Sequence, residues 1–307
     1  MEKELGEIKA NLKKYGQEHI LNHFEELDET HQKELLKEIK GIDFELVTSL
    51  YNNTKKEKKN TKDEITPINY LDKFKLGDKY KYYENIGKKA IQEGKLAAVT
   101  MAGGQGTRLG HNGPKGTYDI GLDSHKSLFE LLSDGIKEEA KKYGVTIPWF
   151  IMTSRENNKT TVEFFEKHKY FGYQKDKNIF FFIQGELPMM DTEGKILIGE
   201  DGLIKLAADG HGGIYESLVK SGMTKKMKEL GVEWVFIGGV DNCLVKMVDP
   251  VLMGIAIDQQ VTVACKSVVK ANPQEKVGVF CKRNGKPNVI EYTEITDEMA
   301  EARDKDG

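Results

Sequence analysis

Five short apolar runs, at residues 96–101, 149–152, 179–183, 234–237 and 261–265, alternate with stretches whose apolar residues recur at three- and four-residue steps, at 127–143, 160–168 and 215–230. That alternation limits the fold more than any other feature of the chain. Continuous apolar strands between amphipathic helices predict an α/β architecture, a mostly parallel sheet covered on both faces. Ligands in such sheets bind beyond the carboxyl ends of the strands. Residues 103–108, Gln184, and Asp241 with Asn242 fall at such ends, so three distant pieces of chain are expected at one cleft. Before Gly94 the texture is helical. Leu5, Ile8, Leu12 and Tyr15 make one stripe; Leu35, Ile39, Ile42, Leu46 and Leu50 make another after a start signal at Asp28 and Thr30; a third helix is expected over 78–93. The lysine-rich break at 52–63 reads as a solvated loop. The expected division is an N-terminal helical region, 1–92, followed by a core, 93–307.

The first run leads into Ala102-Gly103-Gly104-Gln105-Gly106-Thr107-Arg108-Leu109-Gly110, with Pro114-Lys115-Gly116 close behind. Small residues let backbone N–H groups converge on an anion, and nearby cations neutralise it. Side chains at Gly103, Gly104 or Gly106 would block that approach and any positive φ the turn needs. Two familiar templates do not fit. The dinucleotide fingerprint needs a third glycine where Leu109 stands, and a P-loop needs Gly-Lys-Ser/Thr, whereas Lys115 follows Pro114. Arg108 can bridge two phosphate oxygens through its planar fork, and Lys115 acts as a mobile point charge. Asp241 at a strand end suits Mg²⁺, which takes oxygen ligands and shares them with substrate phosphates; an Asx turn is the plainer alternative. Gln184, in Gln-Gly-Glu-Leu-Pro, offers an amide with donor and acceptor for a nucleobase edge. Asp209-Gly210-His211-Gly212-Gly213 is a second glycine cluster that a planar ligand can approach closely.

Other classes recede. A net charge of −3 over 307 residues argues against non-specific nucleic-acid binding. No run has the apolar length of a membrane span, and the first residues lack the apolar core of a secretory signal. Cys243, Cys265 and Cys281 are odd in number and widely spaced, which fits a reducing, cytoplasmic setting. His19 and His23 stand four apart, but without a third ligand they read as a solvated helix face. Nothing in the sequence fixes an oligomeric state.

Taken together, these segments resemble the UDP-N-acetylglucosamine pyrophosphorylase family, within the wider group of eukaryotic-type UDP-sugar pyrophosphorylases. The matching segments are AGGQGTRLG at 102–110, PKGTYDIGL at 114–122, KSLFELL at 126–132, IMTS at 151–154 and EFFEKHKYFG at 163–172, then FFIQGELP at 181–188, ADGHGGIY at 208–215, VDNCLVKMVDP at 240–250, ANPQEKVGV at 271–279 and IEYTEI at 290–295. The resemblance implies a Rossmann-like, glycosyltransferase-A-like nucleotidyltransferase core behind a helical extension. It implies the reaction of UTP with a sugar 1-phosphate to give UDP-sugar and pyrophosphate, with Mg²⁺. By position, Ala102, Gly103, Gly104, Gly106, Thr107 and Arg108 match the nucleotide-phosphate loop, and Lys115 a phosphate-binding lysine. Gln184 and Gly210 match uracil contacts, His211 a nucleotide or sugar contact, and Asp241 the acidic residue near ribose, phosphate and metal. Gly278 and Glu291 match sugar contacts. His211 departs from the asparagine usual in the acetylglucosamine enzymes; glucose-type enzymes tend to have Gly-His-Gly there. N-acetylglucosamine, glucose and galactose 1-phosphates all stay open. The family's pattern also continues past Gly307, so the chain reads as the front part of a longer protein. A UTP- and UDP-sugar-binding module without turnover is the alternative to an active uridylyltransferase.

Overall fold

The computed structural model describes residues 2–55 and 63–303. Most of the lysine-rich break at 52–63 lies outside the described residues, and 52–55 continue a helix. In chain order the helices are α1 (Glu2–Lys14), α2 (Glu29–Gly41), α3 (Phe44–Lys55), α4 (Lys79–Gln92), α5 (Leu128–Tyr143), α6 (Asn158–Lys167), α7 (Ile214–Lys220), α8 (Met223–Glu229), α9 (Pro250–Asp258) and α10 (Asp297–Glu301). The strands are β1 (Ile65–Thr66), β2 (Leu96–Met101), β3 (Trp149–Thr153), β4 (Ile179–Ile183), β5 (Glu186–Pro188), β6 (Leu206–Ala208), β7 (Trp234–Gly239), β8 (Val279–Arg283) and β9 (Lys286–Ile290). Among the described residues no helix is long and apolar enough to cross a membrane.

The chain divides into two compact units, Met1–Lys55 with Ala90–Val248, and Lys56–Lys89 with Asp249–Gly307. Both are discontinuous, so neither boundary falls at 92/93. Helices α1 to α3 share a unit with the parallel sheet because their apolar stripes have a partner there. Ile8, Leu12, Leu35, Ile39 and Phe44 form one core with Ile196 and Ile204. Gln17 fastens the same contact: buried, it donates to the carbonyl of Gly194 at 2.7 Å and accepts from the amide of Ile196 at 2.9 Å.

The main sheet has the order β4-β3-β2-β7, every pair parallel. The chain lays down β2, β3 and β4 in one direction, then returns to place β7 on the far side of β2. The reversal opens a crevice between the carboxyl ends of β2 and β7, the switch point where such sheets bind ligands. Side chains alternate across the sheet. Phe150, Met152, Ala97, Val99, Phe180 and Phe182 pack beneath Ile214, Leu218 and Met227 of α7 and α8. On the opposite face Phe165 of α6 meets Phe129 of α5 at 4.8 Å, Phe181 at 5.1 Å and Trp149 at 5.6 Å between ring centroids. Each such pair adds about 0.5–1.5 kcal/mol beyond its burial. The buried indole N–H of Trp149 is satisfied by the hydroxyl of Thr100 at 2.8 Å. Helix α5 starts at Ser127, whose hydroxyl accepts from Glu130 N–H, and ends at Gly144 with φ 69°.

In the second unit β1, β8 and β9 form an antiparallel sheet. Asp249 caps α9, accepting from the amides of Val251 and Leu252.

Four further readings from the sequence need correction. The stripe from Leu35 to Leu50 belongs to two helices: Ile42 is extended, and Asp43 accepts from Leu46 N–H to start the next turn. The pattern at 215–230 is likewise two helices, broken at Gly222, where φ is 76°. Residues 261–265 form no strand, because no neighbour pairs with them among the described residues and Val263 is 71% exposed. His19 and His23 do not share a helix face. His19 hydrogen-bonds the carbonyl of Ile196 at 2.8 Å, and His23 pairs with Glu26.

Candidate functional site

The turn after β2 is built by the sheet and then by its own backbone. Ala102 is still in the ladder, donating to the carbonyl of Met152 at 2.7 Å, and is buried. The chain then leaves the sheet and folds back. Gly106 N–H donates to the carbonyl of Gly113 at 2.8 Å, and Lys115 N–H to that of Gly104 at 3.0 Å. This returning strand-like pair, Gln105 against Pro114, delivers Lys115 directly to the glycine turn. Among the described residues the amides of Gly103 and Gly104 find no acceptor within the chain. Thr107 and Arg108 lie exposed on a short 3-10 turn that ends at Gly110.

The glycines are needed for close approach, not for unusual dihedrals. Positive φ occurs at Gly110 and Gly113, while Gly106 has φ −84°, and Gly103 and Gly104 also lie outside that region. A Cβ on Gly106 would come within 2.8 Å of the His111 ring. That ring donates to the hydroxyl of Thr117 at 2.7 Å, which itself donates to the carbonyl of Pro114.

Across the switch point, Val240 N–H bonds the carbonyl of Met101 at 3.0 Å, and Asp241 follows at once. Its carboxylate pairs with Lys115 at 3.3 Å, the lysine mostly covered and the aspartate largely exposed. Such a half-open pair adds at most about 1 kcal/mol to stability. Asn242 is exposed beside it.

The third wall comes from β4. Gln184 N–H joins the carbonyl of Thr153 at 2.7 Å, and its side chain is buried. The amide nitrogen donates to the carbonyl of Gly210 at 3.0 Å and approaches Asp209 at 3.4 Å. A carbonyl can only accept, so Gly210 fixes which end of the amide it meets. The amide oxygen is left facing the glycine turn, 2.5 Å from where a Cβ on Gly103 would stand. Gly210 has φ 83°, and His211 opens the exposed turn that follows. The structure thus joins Gly103 to Gln184 and Gly210, and Gly104 through Lys115 to Asp241. Gly278 and Glu291 belong to the second unit, where they are neighbours: a Cβ on Gly278 would lie 3.6 Å from the Glu291 carboxylate.

Two supporting residues, Asn157 and Ser217, escaped the sequence reading, and the packing role of a third, Asp209, is visible only in the structure. Asn157, after β3, bonds the carbonyl of Ala102. Ser217, on α7, accepts from Gly185 N–H at 3.0 Å. Asp209 fills the space that side chains at Gly185 and Gly213 would need. Asn157 and Ser217 carry no local motif, and Asp209 belongs to the second glycine cluster without any local sign of the contact it makes.

A four-stranded parallel sheet, with a glycine cradle and facing cation at its switch point, defines the fold as the nucleotidyltransferase type of α/β protein. The chain belongs to the UTP–glucose-1-phosphate uridylyltransferase family, whose model matches residues 43–306. It is 38% identical over 308 residues to UDP-N-acetylglucosamine pyrophosphorylase of Saccharomyces cerevisiae, across 95% of this chain and 64% of that protein. It is also 38% identical to UDP-N-acetylglucosamine diphosphorylase 2 of Arabidopsis thaliana, across 95% of this chain and 61% of that one. The crystal structure of the uridine diphosphate N-acetylglucosamine pyrophosphorylase from Trypanosoma brucei, in complex with inhibitor, superposes with a TM-score of 0.79 at 32% identity, covering 96% of this chain and 62% of that one. The chain therefore spans somewhat over three fifths of the length of these relatives.

Proposed function

We propose that the chain carries the nucleotide site of a uridylyltransferase that makes UDP-sugar and pyrophosphate from UTP and a sugar 1-phosphate. The observation that carries this reading is the convergence of the glycine turn, Lys115, Asp241 and Gln184 at one switch point. An oxygen of the sugar 1-phosphate attacks the α-phosphorus of UTP; the new P–O bond forms as the bond to the β-phosphate oxygen breaks, and pyrophosphate leaves. The attacking oxygen is already anionic, so no general base is needed. Alignment and charge neutralisation supply the acceleration. The amides of Gly103 and Gly104 would receive phosphate oxygens, with Lys115 and Arg108 offsetting the charge of the leaving group. Thr107 and Ala102 would line the same cradle.

The base reading follows from Gln184. Its nitrogen is committed to Gly210, so its oxygen is the free end. Uracil presents an N3–H donor to such an acceptor, whereas cytosine presents a lone pair. Magnesium fits this arrangement only as a shared ion. Among the described residues no group of three or more His, Cys, Asp or Glu could hold a metal, and Asp241 is a single carboxylate of the kind that binds Mg²⁺ together with substrate phosphates. Bound there, the ion would neutralise phosphate charge. The names of the relatives favour N-acetylglucosamine 1-phosphate as acceptor; Gly278, Glu291 and His211 as sugar or nucleotide contacts rest on the family resemblance. Unpaired thiols at Cys243, Cys265 and Cys281 support a cytoplasmic setting.

The test is calorimetric titration with UTP and CTP beside a pyrophosphate-release assay with glucose, galactose and N-acetylglucosamine 1-phosphates. UTP should bind at least about tenfold more tightly than CTP. Equal affinities would refute the base reading, absence of UTP binding would refute the site, and binding without pyrophosphate release would make the chain a binding module.

A further inference from the structure

Asn157 stands at the N-cap of α6, where an asparagine ordinarily turns its side chain onto the first amides of its own helix. Here it makes no such cap. The side chain, 1% exposed, reaches back to the turn after β2. Its nitrogen donates to the carbonyls of Ala102 at 3.0 Å and Gly104 at 3.4 Å, while its oxygen accepts from Ser154 N–H at 2.9 Å. Two carbonyls on one side and an N–H on the other admit only this orientation of the amide.

We infer that Asn157 is a positioning residue that locks the peptide planes of the glycine turn so that N–H groups, not carbonyls, face a bound phosphate. The inference rests on the reading of that turn as the phosphate cradle. In a trans peptide the C=O and the following N–H point in opposite directions, and the chain has no cis bonds among its described residues. Holding the carbonyl of Ala102 towards Asn157 therefore turns the N–H of Gly103 away from it. Holding that of Gly104, which Lys115 N–H also engages, does the same for the N–H of Gln105. Asn157 occupies the buried side of the turn, and Gly104 is exposed. Glycine resists a flip of its flanking planes less than any other residue. A flipped plane would set a carbonyl oxygen against an anion. A turn of glycines permits close approach but is only partly held by its own backbone bonds, and a buried side-chain amide adds to what they supply.

Asn157→Asp tests the lock most sharply. It keeps the size, the acceptor for Ser154 and the capacity to cap α6, but it sets an anionic oxygen against two carbonyls. Asn157→Ala is the companion variant, should the first fail to fold. Two readouts separate the lock from a merely structural role. Exchange of the turn's hydrogen-bonded amides, those of Ala102, Gly106 and Lys115, should quicken about tenfold in the ligand-free protein, as a less firmly held turn implies. Affinity for UTP should fall about tenfold or more, while affinity for uridine, which has no phosphate, stays within about twofold. Unchanged exchange in the folded variants overturns the inference, and so does equal weakening of UTP and uridine. A wild-type protein that binds no UTP refutes the functional reading instead, and the exchange measurement then decides the lock alone.

Discussion

Gly103→Ala probes the joint between the glycine turn and the Gln184 amide. The new Cβ would stand 2.5 Å from the Gln184 amide oxygen, while ordinary contact begins near 3.4 Å, so the pair must separate by roughly 0.9 Å. The amide is rigid, and its nitrogen already sits 3.0 Å from the carbonyl of Gly210. A movement of that size carries the bond out of hydrogen-bonding range or pushes the turn off the sheet end. An amide buried at 8% exposure that loses its partner costs about 1–3 kcal/mol. Thermal or urea unfolding should register that loss, and calorimetry should show UTP affinity falling about 10- to 100-fold with discrimination against CTP reduced. A double-mutant cycle gives the decisive comparison. With Gln184→Ala in place the oxygen is gone, and Gly103→Ala should then cost little. If the alanine destabilises equally in both backgrounds, its cost comes from the backbone and the argument from the Gln184 contact is wrong.

Two further outcomes are expected. Lys115→Ala should cut pyrophosphate release by a factor of about 100 or more while moving stability by no more than about 1 kcal/mol, because its ion pair with Asp241 is half open; undiminished turnover would remove Lys115 from the phosphate site. Burial pushes the Asp249 carboxyl up, but its bonds to Lys266 and to the amides of Leu252 and Val251 outweigh this and hold it below the ordinary value of 3.8. Its contribution to stability is therefore full above that value and is lost as pH falls through the lowered native one. The gap between wild type and Asp249→Asn, about 1 kcal/mol near neutrality, should close on acidification. A gap that widens in acid would contradict the assignment.

Elements defined by one dominant local signal were legible in the sequence. The runs at Leu96–Met101 and Ile179–Ile183 are strands with those bounds, since each is apolar but for Thr100 and most of its residues are buried. Helix breaks were harder. At Ile42 and Gly222 the apolar spacing continues through the interruption, and the stops come from backbone geometry that periodicity does not register. Residues 261–265 have the composition of a strand, but a strand is a pairing, and composition cannot supply the neighbour. The site follows the same division. Gly103, Lys115, Gln184 and Asp241 each sit where a local pattern ends. Asn157, Ser217 and Asp209 act across more than 20 residues of chain, and no local pattern, not even the glycine cluster around Asp209, announces those contacts.

In the proposed site, Gly103 is where recognition of the base and of the phosphates becomes mechanically shared. Its missing side chain admits the Gln184 oxygen, and its N–H direction is set through the carbonyl of Ala102 by Asn157. Gly210 holds Gln184 from one side while Ser154 and Ala102 hold Asn157 from the other. A disturbance at either anchor reaches the same residue by a different route, through packing in one case and through peptide orientation in the other. The two routes are separable because a packing fault alters the choice between UTP and CTP, whereas an orientation fault alters the choice between UTP and uridine. Gly103→Ala should therefore shift the first ratio and Asn157→Asp the second, and a variant pair that moved both ratios together would show that the turn and the Gln184 pocket deform as one body.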